Sequence, residues 1–506
     1  MWPSSVFRAS VVWPAAPTLA AYRSCARYGL GRPILSLRDL TRQPCWCYAT
    51  AAALLESQDS ATVAGFGSLR IGEDLTLALS EQHLSSPTEI QSTAIPEILQ
   101  GGDVLLASHT GSGKTLAYLL PLIKQLKDAE AKGAATRPKR PRALVLAPTR
   151  ELTEQILSVA KGLSHFAKFR STCINGGRTA AQQAKALDAP MDIVVGTPQR
   201  VMHHSQLGNL FYGDVEVIVL DEADTMFDRG FGPEVRAVLK PLRSKAHPTR
   251  CILVLATLSK PVRKLLEDEF PKLRYIETSS LHRAVPNAHH TFVPMSGTDN
   301  KLDRLAQMVQ GDQTKLRRTM VFCNTLNSCR AAEHFLGERG LATVCHHGDV
   351  PFEERKVALS RFAEGGEDSA PPVLVCTDLA ARGLDIPGKV DHVINFDFPL
   401  NPDDYLHRTG RTARAGASGR VTSLVQKRER LLATRIEQAL QAKLPIDSLT
   451  NAPNGPARPN PAKAAQKAAQ QAADRAARKG KRGASRFESP ANKGGAPPSR
   501  TESPVL

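Results

Sequence analysis

"DVLLASHTGSGKTLAYLL", residues 103–120, decides the fold. An apolar run of strand length leads into a glycine-rich loop, and Lys114-Thr115 then opens a helical stretch. Strand, glycine loop and helix start, in that order, form the context that a phosphate-binding loop requires. Gly111 and Gly113 let backbone N–H groups close around phosphate oxygens, Lys114 reaches toward the β- and γ-phosphates, and Thr115 offers a hydroxyl to Mg2+. Thr110 and Ser112 complete the candidate nucleotide loop, and Ser108 stands where the strict pattern has glycine.

Similar apolar runs recur on both sides of a polar stretch. "DVLLAS" (103–108), "ALVLAP" (143–148), "DIVVGT" (192–197), "VEVIVLD" (215–221) and "CILVLAT" (251–257) form one series. "TMVFCN" (319–324), "ATVCHH" (342–347), "PVLVCT" (372–377), "HVINFDF" (392–398) and "RVTSLV" (420–425) form a second. Runs without polar alternation are strands buried on both faces, as in parallel sheets covered by helices. The chain therefore reads as α/β, with two parallel-sheet domains in tandem at 66–281 and 291–446 and a linker at 282–290.

"VIVLDEAD" (217–224) brings a strand to its carboxyl end, where ligands collect in open α/β sheets. Asp221 is placed to hold Mg2+, largely through water, and Glu222 to orient and deprotonate an attacking water. Alone this is equally a solvated acidic turn; beside a phosphate loop it reads as the second half of an NTPase.

The formal charge of +17 sits mostly at the ends. Residues 1–50 hold six Arg and a single acid, Asp39, and residues 451–506 hold eleven Lys/Arg against three acids. The core is thus no generic polycation. The acid-poor, Arg- and Ala-containing start fits an organellar transit peptide, with a plain disordered start as the other reading. The Pro-, Ala- and Lys-rich end has no apolar face to bury and reads as a disordered basic tail that can bind RNA nonspecifically. No apolar run approaches the roughly 20 residues of a membrane-spanning helix, so no membrane partner is expected. Nine cysteines without a regular framework point to a reducing compartment. Cys45-Trp46-Cys47 lacks a second ligand pair nearby, and the pairs His203-His204, His289-His290 and His346-His347 read as solvated or packed rather than metal-binding.

Over about residues 66–445 the motifs recur in the order of a known family, and the chain resembles a DEAD-box ATP-dependent RNA helicase. "DEAD" (221–224), "SSPTEIQ" (85–91), "APTREL" (147–152), "GG" (176–177) and "TPQR" (197–200) carry the likeness in the first half. "VFCNT" (321–325), "EERKVALSRF" (353–362), "CTDLAARGLD" (376–385) and "YLHRTGRTARAG" (405–416) carry it in the second. The resemblance implies two RecA-like domains, ATP and Mg2+ as cofactors, and RNA bound across both domains. By it, Phe66 stacks on adenine, Gln91 pairs with the adenine edge and Asp385 contacts the ribose. Thr149, Arg150, Gly177, Thr197, Arg200, Arg355, Thr377 and Arg382 hold RNA or align the domains. His407 positions the catalytic water network, and Arg411 and Arg414 are arginine fingers that approach the γ-phosphate on closure. His83 and Gln199 stand where the family often has glycine.

The strongest departure is Leu255. The family's loop there usually reads Ser-Ala-Thr, and its serine links the DEAD residues to the domain interface through hydrogen bonds. Leucine makes none, so weaker coupling of ATP turnover to strand separation is expected, and Leu255→Ser is expected to raise unwinding per ATP. This residue is the sequence feature favouring an ATP-gated RNA clamp over a helicase. A DNA-directed helicase and a P-loop kinase are weaker readings. The likeness of "SHTGSGKTLAYLLP" and "DEADTMFDRGFGPEVR" to a plant-type organellar branch implies a chloroplast setting, with mitochondrion as the rival. It further implies ribosomal RNA as target and a monomer acting with ribosome-assembly factors.

Overall fold

A computed structural model describes residues 65–228, 232–297, 299–364, 371–381, 389–414 and 416–446. The leader at 1–50, the basic segment 451–506, Arg382 and Asp385 lie outside the described residues. Two sheets form, and every strand pairing in both is parallel. The first contains β1 (Val104–Ala107), β2 (Ala143–Leu146), β3 (Ser171–Ile174), β4 (Ile193–Gly196), β5 (Val217–Asp221), β6 (Arg250–Leu255) and β7 (Arg274–Glu277). Its order is β3-β4-β2-β5-β6-β1-β7. The second contains β8 (Ala288–Pro294), β9 (Thr319–Cys323), β10 (Thr343–His346), β11 (Val373–Thr377), β12 (His392–Asn395) and β13 (Gly419–Val425), ordered β10-β11-β9-β12-β13-β8.

The apolar runs form these strands because both sheet faces are covered. In β1, Val104 and Leu106 enter one core cluster while Leu105 and Ala107 enter the cluster on the other face. In β9, Val321 and Cys323 divide from Met320 and Phe322 in the same way. Successive side chains point to opposite faces, so a strand covered twice has no polar position to spare.

The edges depart from the expectation. β3, β7 and β8 border their sheets and are only partly buried, which breaks up the apolar run that marks a central strand. The expected linker at 282–290 is accordingly shorter: β8 begins at Ala288, and His289 and His290 pair with Arg420 and Val421 of β13.

The second sheet is tied together at its carboxyl ends by one guanidinium. Arg408, 1% exposed, lies on the helix Pro402–Thr409, whose first turn is capped by Asn401. Its Nε and Nη2 donate to the two Asp378 carboxylate oxygens at 2.6 and 2.7 Å, beyond β11. Its Nη1 donates to the Asp397 carbonyl at 2.6 Å, beyond β12, and Nη2 also to Asn324 Oδ1, beyond β9. Removing one partner of a buried ion pair leaves an uncompensated charge, at a cost of about 3–5 kcal/mol. Arg408→Ala is expected to lower stability by about that amount in chemical denaturation. Arg408→Lys should recover only part of it, since an ammonium cannot bond bidentately.

Candidate nucleotide and nucleic-acid site

Parallel strands present all their carboxyl ends on one side. In the first sheet the adjacent β5, β6 and β1 end in Asp221, Leu255 and Ala107, followed by Glu222-Asp224, Ala256-Thr257 and Ser108-Thr115. The adjacent β3, β4 and β2 end just before Gly176-Gly177, Thr197 and Thr149. One half-sheet thus gathers the expected phosphate chemistry, and the other half gathers the expected RNA contacts.

Gly111 and Gly113 adopt φ of 84° and 88°, the left-handed region where a side chain is strained. At Gly113 an added Cβ would also stand 2.5 Å from Gln91 Nε2. The ammonium of Lys114 folds over the loop and donates to the Ser108 and His109 carbonyls at 2.7 and 2.8 Å. Burial pushes its pKa down to about 8, against Asp221, Asp224 and Glu222, with Arg411 of the second lobe pressing the same way. Lys114 and, from the second lobe, Arg414 beside Gly111 bring two cations to a glycine cradle, an arrangement for a polyanion. Ser112 Oγ is buried without a hydrogen-bond partner among the described residues, and it too fits a phosphate oxygen. Ser108, in place of glycine, is fully buried and accepts from Thr278 Oγ1 at 2.9 Å.

Asp221 receives the Tyr118 hydroxyl at 2.9 Å and the Glu222 N–H at 3.0 Å. Burial raises its carboxyl above the ordinary range, the Tyr118 bond and Lys114 opposing. The Asp221 carboxylate at the end of β5 and the Thr115 hydroxyl just after the glycine loop are the kind of hard-oxygen donors that Mg2+ takes. Glu222 itself sits at φ 54°, a backbone strain typical of reacting positions.

Gln91 also braces the phosphate loop. Its Oε1 accepts from Thr88 N at 2.9 Å, and its Nε2 donates to the Gly113 carbonyl at 3.1 Å, while Thr88 Oγ1 donates to the Ser112 carbonyl at 2.8 Å. The amide braces the phosphate loop, leaving one N–H and one lone pair for a base edge. Phe66 is packed into the first core cluster at 3% exposure, so it presents no open stacking face here. His83 adopts φ 59°, which explains why glycine suits that turn. Gln199 lies within the helix Pro198–Gln206, where glycine is not required.

The two lobes meet over the DEAD residues. Asp224 Oδ2 accepts from Thr257 Oγ1 at 3.0 Å and from the backbone N–H groups of Thr257 and Ala256 at 3.1 and 3.3 Å. His407 Nε2 of the second lobe lies 3.6 Å from that oxygen and 3.5 Å from Thr257 Oγ1. Arg411, 4% exposed, donates through Nε to the His407 carbonyl at 3.2 Å. Arg414 bonds the Gly410 carbonyl at 2.8 Å, and its Nε stands 4.0 Å from where a Cβ on Gly111 would be. Gly410 in turn packs against Thr110. Leu255 is absent from this link. It is fully buried in the core cluster that also holds Ala223 and Met226, and makes no side-chain hydrogen bond, as expected. Asp224 Oδ2 is instead met by residues 256 and 257.

The RNA-side residues converge in part. A cleft of about 410 Å³ is lined by Thr149 and Arg150 of the first lobe and by Thr325, Gly348, Arg355 and Thr377 of the second. Thr149 caps the helix Arg150–Ala167 by accepting from Leu152 N at 3.3 Å, which leaves its O–H to donate outward. Carboxylates bridge the cleft: Arg150 lies 3.5 Å from Glu353 and stacks on Phe352, and Arg355 pairs with Glu151 at 2.7 Å. Gly177 touches the Arg150 guanidinium so closely that no Cβ fits. Thr197 and Arg200, at the start of the helix Pro198–Gln206, do not line this cleft.

The DEAD/DEAH box helicase family profile matches residues 88–265, and the helicase conserved C-terminal domain profile matches residues 300–416. ATP-dependent rRNA helicase RRP3 of Encephalitozoon cuniculi is 36% identical over 75% of this chain and 90% of its own length. The chain belongs to the DEAD-box ATP-dependent RNA helicase family. DEAD-box ATP-dependent RNA helicase 39 of Arabidopsis thaliana is 49% identical over 77% of this chain, which spans 63% of that relative's length. The solved structure of S. cerevisiae Dbp5 bound to RNA and ADP BeF3 superposes with a TM-score of 0.63 at 26% identity, over 75% of this chain and 93% of that one. Both sheets are thus of the RecA-like kind found in this family.

Sequence reasoning missed Tyr118, Thr257 and Arg408. Tyr118 had a signal, because it follows Lys114 by four on one helix and so shares its face. Leu255→Ser is expected to destabilise by about 2–5 kcal/mol, from the lost packing and a buried hydroxyl. It should leave unwinding per ATP unchanged. Thr257→Val is expected to reduce that ratio about tenfold, as losing a bond to a charged group costs about 1.5–3 kcal/mol. Denaturation together with paired ATPase and strand-release assays checks both.

Proposed function

We propose that this protein is an ATP-driven RNA helicase that grips single-stranded RNA across its two lobes and opens short duplexes. The observation carrying the reading is the approach of the second lobe to the first, with Arg414 beside Gly111 and His407 beside Asp224. Lys114, Thr115 and Asp221 would hold Mg–ATP, which supplies the transferable phosphoryl group. Glu222 orients and deprotonates water, and His407 steadies Glu222's neighbour Asp224. The guanidinium groups of Arg411 and Arg414 meet charge spreading on the phosphoryl oxygens. Thr149, Arg150, Arg355 and Thr377 hold the RNA backbone in the cleft without reading bases. Nucleotide and RNA both bridge the same two lobes, so each favours the other's binding by linkage.

Alanine at Arg411 and Arg414 together is expected to cut RNA-stimulated ATP hydrolysis by about 10³-fold while ATP binding persists. Unchanged RNA-dependent hydrolysis overturns this reading, and equal stimulation by DNA overturns the RNA assignment.

The finer setting we propose is ribosomal RNA maturation in the chloroplast, with mitochondrion as the rival. The Arg-bearing, acid-poor first 50 residues and the likeness to a plant helicase support it. Crosslinking in isolated organelles should recover large-subunit ribosomal RNA; recovery of unrelated transcripts would refute it.

A further inference from the structure

The second lobe contains a cluster that neither ATP nor RNA chemistry uses. Cys329, Cys345 and His347 each offer a ligand atom, and these atoms lie within 4.8 Å of one another. The three come from two separate places: the helix Leu326–Glu338, and the end of β10 with the loop after it. Buried cysteines alone are ordinary small apolar residues, and Cys323 and Cys329 are both fully buried in a core cluster. His347 is different. Its ring is 4% exposed, and its buried Nδ1 has no hydrogen-bond partner among the described residues. An orphaned imidazole nitrogen against two sulfurs costs free energy that a bound cation would recover.

The geometry points to a zinc-class cation site formed by Cys329, Cys345 and His347, with the fourth position open to a solvent water. Zn–S and Zn–N bonds of about 2.3 and 2.0–2.1 Å set tetrahedral ligand atoms roughly 3.5–3.8 Å apart. The observed spacing, within 4.8 Å, needs a contraction of about 1.3 Å at most, within reach of side-chain rotation. Cys345 lies on β10, the edge strand, and is partly exposed, which gives an ion an entry path. Binding releases the thiol protons. His346, the other half of the pair, is fully buried in the same strand end and stays a packed residue.

The position gives the site a consequence. His347 adjoins Gly348, and the helix bearing Cys329 starts beside Thr325, which caps it. Gly348 and Thr325 both line the cleft between the lobes. A cation held here staples two parts of that cleft's floor together.

The test uses the full chain with Cys25, Cys45 and Cys47 changed to Ser, metal-stripped and kept reduced, titrated with Co2+ and then with Zn2+. One equivalent of Co2+ giving the intense visible bands of tetrahedral thiolate-bound cobalt, displaced by Zn2+, supports the site. Cys345→Ser and His347→Gln, each confirmed folded by circular dichroism, should abolish those bands. Cys345 sits at a half-exposed edge, so its variant keeps the test open if the His347 variant unfolds. Absence of the bands in the parent chain, or their survival in folded Cys345→Ser, overturns the proposal.

Discussion

One buried carboxylate connects the working parts. Asp224 is 4% exposed, and a charge so placed must be met by several donors. Its Oδ2 is met by two backbone N–H groups and a hydroxyl from residues 256 and 257, with the His407 imidazole of the other lobe just beyond. The strand order makes this possible. β5 and β6 are neighbours, so the turn after one can solvate the acid after the other. The placement of Glu222, two residues before it, and of Arg411, which bonds the His407 carbonyl, is tied to this acid, while Arg414 at Gly111 and Gly410 at Thr110 join the lobes separately. The architecture therefore separates building from sensing. The sheets hold the groups in place, and a small polar junction registers whether the second lobe has arrived.

The cleft for nucleic acid follows a different logic. Its cations are already matched with carboxylates across the gap, Arg150 with Glu353 and Arg355 with Glu151. Such pairs are worth little where one partner is exposed, as Glu353 is. Phosphates can replace carboxylates at the guanidinium groups with little net cost, and the planar fork suits either anion.

What the sequence disclosed tracks burial. Central strands such as β1, β5 and β11 are apolar along their length because helices cover both faces, and such runs stand out in a one-dimensional text. β3, β7 and β8 are half-exposed, so polar residues interrupt them and the pattern fades; β8 was hidden inside an expected linker for that reason. The glycine loop and the acidic strand end were legible because their chemistry admits few residue types. Leu255 was legible as a position without a side-chain donor, whereas the bonds its neighbours 256 and 257 make to Asp224 were not. Arg408 was illegible because its partners, Asn324, Asp378 and Asp397, are scattered in sequence and meet only when three strand ends align. The convergence of Cys329 and Cys345 with His347 has the same origin.

The brace beneath the phosphate loop has a wider meaning. Thr88 and Gln91 begin the helix Glu89–Gln100, and both grip carbonyls of the glycine loop. That first helical turn and the cradle are one mechanical piece, so whatever tilts the helix reshapes the cavity intended for the triphosphate. A purine seated against Gln91 would thus be felt at its own distant end, and the choice among nucleotides becomes a question of loop shape as much as of affinity.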